Sequence, residues 1–327
     1  MKIKSIGLGV LHAALLCGHV AAAETYGEGG QALPLQQSGG TARAMGMGSA
    51  VVAVDQGSAS LLWNPAGLGL MDAAEVGLHH NSGLGDTVQE ILVIGAPLGK
   101  ADRQGKGGSL GGIAASLGYV NYGRFAGADE LGRANGSFSS GDLSGSLGWG
   151  LEVLPGFSGG VVLKGNRSNF GSKTFATYST DVGLLWNVMP SLDLGVSYSN
   201  LQFGGGIGGA GLASGWRLGA GWKATKHWLW AASTELQEYN AMKRVQLGTE
   251  YLFGNVEEKS NVLALRGGYQ LSFPSRDLGA FAGLTLGIGY SITRSIVLDY
   301  AFLPAGDLGA SHRLSATFKF NAPGKKG

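Results

Sequence analysis

The chain carries the stretch Ala42-Arg43-Ala44-Met45-Gly46-Met47-Gly48-Ser49-Ala50 and, a little further on, Leu62-Trp63-Asn64-Pro65-Ala66-Gly67-Leu68. These residues are mostly small and apolar, and Arg43 and Asp55 are the only charged residues from the first stretch through the second. So little charge is unsuited to an exposed linker, and the many glycines disfavour a long amphipathic helix. The composition therefore predicts a compact buried plug, and the strand-like segments downstream predict a barrel wall around it.

The overall composition favours a protein that faces lipid. Of the 327 residues, 60 are glycine and only 14% are charged, against about 25% charged residues in a typical soluble domain. The glycines follow no collagen repeat, and 44% hydrophobic residues are too many for a disordered chain. The net charge of +2 gives no reason to expect a nucleic-acid partner.

The N-terminus has the three parts of a secretory signal. Lys2 and Lys4 precede an apolar run over residues 6–16. Ala21-Ala22-Ala23 then supplies the small residues that a signal-peptide cleavage site requires. A transmembrane anchor is the alternative, because the uncharged residues 5–23 are near the minimum span of a membrane helix, but the apolar core is short and a site of small residues follows it. We predict a cleaved signal peptide. It would remove Cys17, the only cysteine, and leave a mature chain without a disulfide, a thiolate metal site or a cysteine nucleophile.

From about residue 73 the apolar residues recur with a period of two. In the segment 143–151, for example, large apolar side chains stand on one face and serine or glycine on the other. Segments of about ten residues with this alternation are typical of transmembrane barrel strands. The predicted strands are 73–81, 87–97, 109–120, 140–153, 157–168, 176–188, 191–200, 213–224, 227–238, 243–253, 261–270, 280–292, 295–303 and 311–320.

These fourteen segments predict an all-β fold, a transmembrane antiparallel β-barrel of about 14 strands with an N-terminal hatch or plug segment. The sequence after residue 23 contains no run of about 20 apolar residues, which a membrane-spanning helix would need. Only helices and closed barrels satisfy the hydrogen bonds of the backbone in lipid. A soluble periplasmic sandwich is the alternative, although its outer face would carry more charge. The predicted units are a signal peptide (1–23), a hatch (24–72), the barrel (73–320) and a short basic tail (321–327). The expected location is the outer membrane of a Gram-negative-type bacterium.

The segment ends and inner faces carry further predictions. Long loops are expected at Lys100–Gly108, Phe125–Ser139, Phe203–Gly211 and Pro304–Ala310. An interfacial aromatic belt is expected from Trp186, Tyr198, Trp228, Tyr251, Tyr269 and Tyr290. Both signs of charge are mixed on the inner faces, which favours pairing with each other or with the plug over a selective aqueous pore. The charged residues concerned are Asp181, Asp193, Arg217, Lys223, Glu235, Glu250, Arg266, Asp299, Arg313 and Lys319.

No motif indicates an enzyme, a metal or a cofactor. His79 and His80 are adjacent, so on a strand they point to opposite faces and cannot share one metal. Gly105-Lys106-Gly107 lacks the remaining residues of a phosphate-binding loop. We therefore predict no catalytic residue, no metal ligand and no cofactor.

Several stretches together resemble the PorV/PorQ-type family within the FadL-like outer-membrane barrels. The N-terminal part of the resemblance is Arg43–Gly48, Asp55–Ser60 and Leu62–Leu68, and the C-terminal part is Leu263–Tyr269, Gly283–Tyr290, Leu298–Phe302 and His312–Leu314. The resemblance implies a fourteen-stranded barrel with an N-terminal hatch, and it assigns Asn64, Pro65, Ala66 and Gly67 to a hatch motif. Asn64 would then either satisfy buried backbone groups or contact a ligand. One departure is the basic tail after Phe320, where many outer-membrane barrels end on an aromatic residue.

Two functions are compatible with this resemblance. The first is a channel for uptake or export of small hydrophobic molecules, which would bind an amphipathic ligand and release it sideways into the membrane. The second is a PorV-like accessory of protein secretion that docks cargo or secretion subunits. The expected partners are outer-membrane lipids, a hydrophobic ligand or secretion-system proteins, and the outer-membrane assembly machinery during biogenesis, with no nucleic acid.

Overall fold

The computed structural model describes residues 33, 40–83, 87–100, 108–208, 210–238, 243–273, 283–304 and 309–320. The predicted signal peptide (1–23), most of residues 24–39 and the basic tail (321–327) lie outside these ranges, as do residues 101–107, 209 and 305–308 of three predicted loops.

Fourteen antiparallel strands form one closed barrel. They are β1 (Ala74–Ser82), β2 (Val88–Pro97), β3 (Gly112–Ala128), β4 (Ala134–Leu154), β5 (Phe157–Phe170), β6 (Lys173–Met189), β7 (Leu192–Phe203), β8 (Gly215–Lys223), β9 (Trp228–Gln237), β10 (Lys243–Asn255), β11 (Ser260–Phe273), β12 (Leu284–Thr293), β13 (Ile296–Pro304) and β14 (Ala310–Phe320). Each strand pairs with its neighbours in sequence, and β1 closes the barrel by pairing with β14 from Ala74↔Phe320 to Ser82↔His312. The predicted all-β antiparallel barrel and its strand number are confirmed.

The wall alternates between lipid-facing and inward-facing side chains. On β8, Trp216, Leu218 and Trp222 are exposed, whereas Arg217 between them is 6% exposed. Exposed apolar side chains recur in this way on every strand of the barrel, which gives the outward apolar band of a transmembrane barrel. The predicted belt residues Trp186, Trp228, Tyr251 and Tyr290 are among the exposed side chains.

The predicted loop Phe125–Ser139 is wrong. Strand β3 runs on to Ala128 and β4 begins at Ala134, so the connection is limited to residues 129–133. Here Phe125 pairs with Phe138 across the two strands. The ladder continues although the alternation of apolar residues ends, because strands that project beyond the hydrocarbon need no apolar outer face.

The connections define the two ends of the barrel. At the end where β1 starts and β14 finishes, five of the six connections contain only two to four residues, and most of those at the other end are longer. Short turns face the periplasm and longer loops face the outside in such barrels. We therefore call these the periplasmic and extracellular ends.

Residues 40–73, hereafter the inner segment, contain short helices: α1 (Ala42–Gly46) and two 3₁₀ helices, Gly57–Leu62 and Pro65–Leu70. None of the helices in the described ranges has the length and hydrophobicity of a membrane span.

Candidate functional site

The inner segment lies within the barrel, because its parts contact strands on all sides of the wall. Helix α1 packs against β11 to β14, the first 3₁₀ helix against β1 to β3, and the second mainly against β4 to β6. Many of its side chains are fully buried, including Met47, Leu61 and Leu68. This is the arrangement expected of a hatch, although the bounds 24–72 remain a prediction because residues 24–32 and 34–39 lie outside the described ranges.

Helix α1 is held at both ends by hydrogen bonds. The Thr41 hydroxyl accepts from Ala44 N at 3.2 Å, which caps the helix, and Ala42 N donates to Ser315 Oγ of β14 at 2.9 Å. After the helix, Gly48 with a φ of +62° turns the chain away, and its N–H donates to Thr285 Oγ1 of β12 at 3.0 Å. The short helix is therefore fastened to the wall.

Arg43 connects the inner segment to a chain of buried charges. Its Nε and Nη2 donate to the two Glu250 carboxylate oxygens at 3.0 and 2.8 Å, and its Nη1 donates to the Asp55 carbonyl at 2.7 Å. Arg266 then donates to Glu250 at 2.6 Å and to Asp299 at 2.7 Å. We call Arg43, Glu250, Arg266 and Asp299 the ionic network.

The ionic network is balanced, with two guanidinium groups and two carboxylates. Burial alone would lower the pKa of Arg43, but the neighbouring Glu250 carboxylate outweighs it and raises the pKa above its ordinary value. Glu250 lies on β10 and Arg43 on α1, so the pairing joins the inner segment to the wall by charge-assisted bonds, which are stronger than neutral ones.

The hatch motif predicted from the resemblance lies where the inner segment meets β6. Asn64 caps the second 3₁₀ helix by accepting from Ala66 N at 3.2 Å, and its Nδ2 donates to the carbonyls of Val52 at 2.9 Å and Leu184 at 3.0 Å. Its amide therefore meets buried backbone groups of the segment and of β6. Pro65 occupies the first helical turn, where its missing N–H costs no bond.

The remaining motif residues, Ala66 and Gly67, are buried in the same helix. A Cβ atom on Gly67 would overlap the Ser60 side chain, so the motif leaves no room for a larger residue at this position. These contacts are structural ones, and the role of the motif residues in a hatch remains a prediction, with ligand contact as its alternative.

The predicted pairing of inward charges is confirmed for nine of the ten residues. The ion pairs beyond the ionic network are Lys164–Asp181, Lys223–Asp193, Arg217–Glu235, Arg244–Glu235 and Lys319–Glu75. Arg313 instead donates to Gln89 Oε1 at 3.2 Å. The sequence analysis did not include Glu75, Lys164 or Arg244 among the paired inward charges. The alternation along their strands places all three on the inner face and could have predicted their pairing.

The two adjacent histidines point to opposite faces, as predicted. His79 is buried and shares a 2.8 Å hydrogen bond with Ser315 Oγ, whereas His80 faces outward and pairs with Glu90 at 2.6 Å. Within the described residues, no three His, Cys, Asp or Glu side chains form a group that could hold a metal ion.

A cavity of about 750 Å³ lies between the inner segment and the wall. It reaches the periplasmic turns at Ser191, His227 and Lys259, and the ionic network lines it on one side. Its apolar lining comes from both the segment and the strands: Ala53, Val54, Ala59, Leu229, Leu252, Val256, Val262, Ala264 and Val297. The lining also contains twelve Asp, Glu, Lys and Arg side chains, so the cavity combines apolar surface with polar groups that could orient a bound small molecule.

Comparison with known proteins relates the fold to outer-membrane barrels. No protein-family model matches the sequence, and no curated protein matches it. Among solved structures, the Ralstonia pickettii toluene transporter TbuX superimposes with a TM-score of 0.58 at 14% identity, covering 86% of this chain and 97% of that one.

Two further solved structures agree with this result. The Pseudomonas putida toluene transporter TodX gives a TM-score of 0.57 at 15% identity, covering 86% of this chain and 97% of TodX. A Pseudomonas aeruginosa FadL homologue gives 0.54 at 12% identity, covering 86% and 98%. At these identities the likeness concerns the fold. It confirms the FadL-like barrel fold, and the PorV/PorQ-type assignment remains a prediction.

Proposed function

We propose that this chain is an outer-membrane channel for small hydrophobic molecules and that it performs no catalysis. The observation that carries the proposal is the cavity of about 750 Å³ between the inner segment and the wall, with apolar side chains on both sides. A cavity of this size with a partly apolar lining can hold a small hydrophobic molecule against its apolar side chains. The fold shared with two toluene transporters supports the same function.

The test is uptake of radiolabelled toluene by Gram-negative cells that make this barrel. Ala264 lines the cavity and faces inward on β11, with 5% exposure. Ala264→Phe should narrow the cavity and reduce uptake severalfold. The matched control is Ala232→Phe on β9, because Ala232 is exposed on the wall. Equal uptake by cells with and without the barrel, or equal uptake by the two variants, contradicts the proposal.

A second candidate is the PorV-like accessory of protein secretion. The observation that favours it is an aromatic cluster near the extracellular ends of β3 to β5, where Phe138 lies 5.5 Å from Phe125 and 5.0 Å from Phe170 between ring centroids. Phe125 and Phe170 are 41% and 53% exposed. Phe125 lies three residues before Ala128 at the extracellular end of β3, or roughly 10 Å from it along the strand at about 3.3 Å per residue. An exposed apolar cluster in that position suits a docking protein.

Purification from detergent-extracted native membranes, with mass spectrometry of the proteins retained, tests the second candidate. A secretion subunit or cargo protein retained by the natural chain and lost from Phe138→Ser would support it. Recovery of the barrel without any such protein excludes the secretion function.

In either function, we propose that membrane lipids surround the wall and that the assembly machinery recognises β14, which ends at Phe320.

A further inference from the structure

The last part of the β7–β8 connection is buried at the extracellular end of the barrel. The connection begins with the exposed residues 204–206, but Leu212, Ala213 and Ser214 are only 1–4% exposed. By contrast, residues 129–133 between β3 and β4 and residues 171–172 between β5 and β6 include no buried residue. We call residues 210–214 the mouth segment.

A β-bulge near the end of β7 places Asn200 beside the mouth segment. The register with β6 shifts there, so that Ser199 and Asn200 together stand opposite the single residue Asp181. Asn200 has a φ of +58°, a left-handed conformation that asparagine adopts more readily than most residues. Its N–H donates to Asp181 Oδ1 at 2.7 Å. Bulges re-aim side chains, and here the Asn200 side chain is buried, with 1% exposure.

The Asn200 side chain ties the mouth segment to the wall. Its Nδ2 donates to the Ala213 carbonyl at 2.9 Å, and its Oδ1 accepts from Lys164 Nζ at 3.1 Å. Lys164 also pairs with Asp181, and these two side chains are 13% and 2% exposed. Buried polar groups are costly to leave without a partner, so this set of bonds holds the mouth segment in one position.

The mouth segment also contacts the chain that leads into the inner segment. Leu212, whose N–H donates to Gln202 Oε1 at 2.9 Å, packs against Leu33. Both leucines are at most 4% exposed, and Ile207 and Ala210 pack against them. Leu33 precedes the first residue of the inner segment by seven positions. Moving the mouth segment therefore separates an apolar contact in addition to breaking the bonds of Asn200.

We infer that the mouth segment is an extracellular gate, which Asn200 holds closed and which opens to admit a small hydrophobic molecule from outside. None of residues 210–214 lines the interior cavity, which reaches the periplasmic turns, so the gate and the cavity are separate parts of one route. An apolar molecule can replace the contact between Leu33 and Leu212 with its own surface, whereas it offers no partner for the bonds of Asn200. The function of the gate rests on the proposed transport, but its closed position is tested without transport.

Thiol labelling of intact cells tests whether Asn200 holds the segment closed. With Cys17 changed to serine, Ala213→Cys gives the chain one thiol at a position that is 4% exposed. Asn200→Gly removes the side chain and keeps the positive φ, which glycine adopts readily. It should raise the rate of labelling by a membrane-impermeant maleimide tenfold or more. The control is Asn169→Gly on β5, which removes an exposed side chain bonded to Thr174 at 2.9 Å and should leave the rate unchanged.

A reversible crosslink tests the gating function. Leu33→Cys and Leu212→Cys, combined in the chain with Cys17 changed to serine, should form a disulfide on oxidation. Uptake of radiolabelled toluene should then fall severalfold and recover on reduction. The two single-cysteine variants, oxidised in the same way, are the controls and should keep their uptake.

Three results would overturn the inference. They are equal labelling of the Asn200→Gly and Asn169→Gly chains, failure of the two cysteines to crosslink, and normal uptake through the crosslinked barrel when the natural chain transports toluene. Absence of uptake by the natural chain contradicts the proposed function instead, and the labelling comparison still decides whether the mouth segment is held closed. If Asn200→Gly does not fold, as judged by the electrophoretic mobility of the unheated barrel, Gln202→Ala removes the acceptor of the Leu212 N–H and gives the same comparison.

Discussion

Replacing Glu250 by glutamine should release the inner segment from the wall. In the folded protein the Glu250 carboxylate accepts bonds from Arg43 at 2.8 and 3.0 Å and from Arg266 at 2.6 Å. The amide keeps the shape of the side chain but removes its charge. Two guanidinium groups then remain near the single carboxylate of Asp299, and one amide oxygen replaces the two acceptors.

The expected cost follows from the burial of these groups. Breaking a buried ion pair costs about 3–5 kcal/mol. The Glu250 and Arg266 side chains are 5% and 4% exposed, but that of Arg43 is 29% exposed, so solvent reduces the effect and about 3 kcal/mol is the appropriate figure. At about 1.4 kcal/mol per factor of ten, the opened state of the inner segment becomes about 100-fold more populated.

Thiol labelling measures this opening. With Cys17 changed to serine, Ala50→Cys places the chain's single thiol in the inner segment at a position that is 1% exposed. Reaction with a maleimide then reports how often the segment opens. The control is Glu257→Gln, which removes an exposed ion pair with Lys226 at 3.3 Å and should change stability by less than about 1 kcal/mol. Labelling rates for the two variants within threefold of each other would refute the reasoning.

Three other outcomes are expected. Gly268→Ala should reduce the folded fraction on unheated gels, since a Cβ there would overlap the backbone of the inner segment, whereas Gly267→Ala next to it should have little effect because a Cβ meets nothing within 4 Å. Asn64→Ala should destabilise the barrel by about 1–3 kcal/mol, since buried backbone groups lose their partners, and should lower the temperature at which unheated mobility is lost. Backbone N–H bonds in the turn 129–133 lower the pKa of Asp129. The ionised carboxylate therefore stabilises the turn at pH values above the ordinary pKa of about 3.9. An NMR titration should show that this stabilisation is lost as the pH falls through the lowered pKa of Asp129.

The strands could be predicted because their signal is local. In a wall that separates lipid from a packed interior, apolar and polar side chains alternate along each strand. Each segment of about ten residues can therefore be recognised as a strand from its own sequence. The signal ends where the lipid ends. Strands β3 and β4 continue past Asn121 and before Ser140 through residues with no regular alternation, and hydrogen bonding alone maintains the ladder there. The error over 125–139 has this cause.

The site was only partly predictable, because its partners are remote in sequence. The inward positions of Glu250, Arg266 and Asp299 follow from alternation, and so does the expectation that they pair. That Arg43 meets Glu250, 207 residues away, depends on how far α1 enters the barrel and on the register of each strand. Neither quantity can be predicted from a local sequence pattern.

The glycine content of the wall also limits how a molecule could cross it. Gly248 and Gly268 lie against the backbone of Met47 and Gly48, and Gly160 lies against the backbone of Pro65. A side chain at these positions would collide with the inner segment, so wall and segment are shaped to each other and leave no passage between them there. The described cavity beside the ionic network is a different region, with space of about 750 Å³. A molecule that crosses therefore either uses this cavity or displaces the segment. Narrowing the cavity at Ala264 acts on the first route and breaking the network at Glu250 acts on the second, which makes the two variants separable tests.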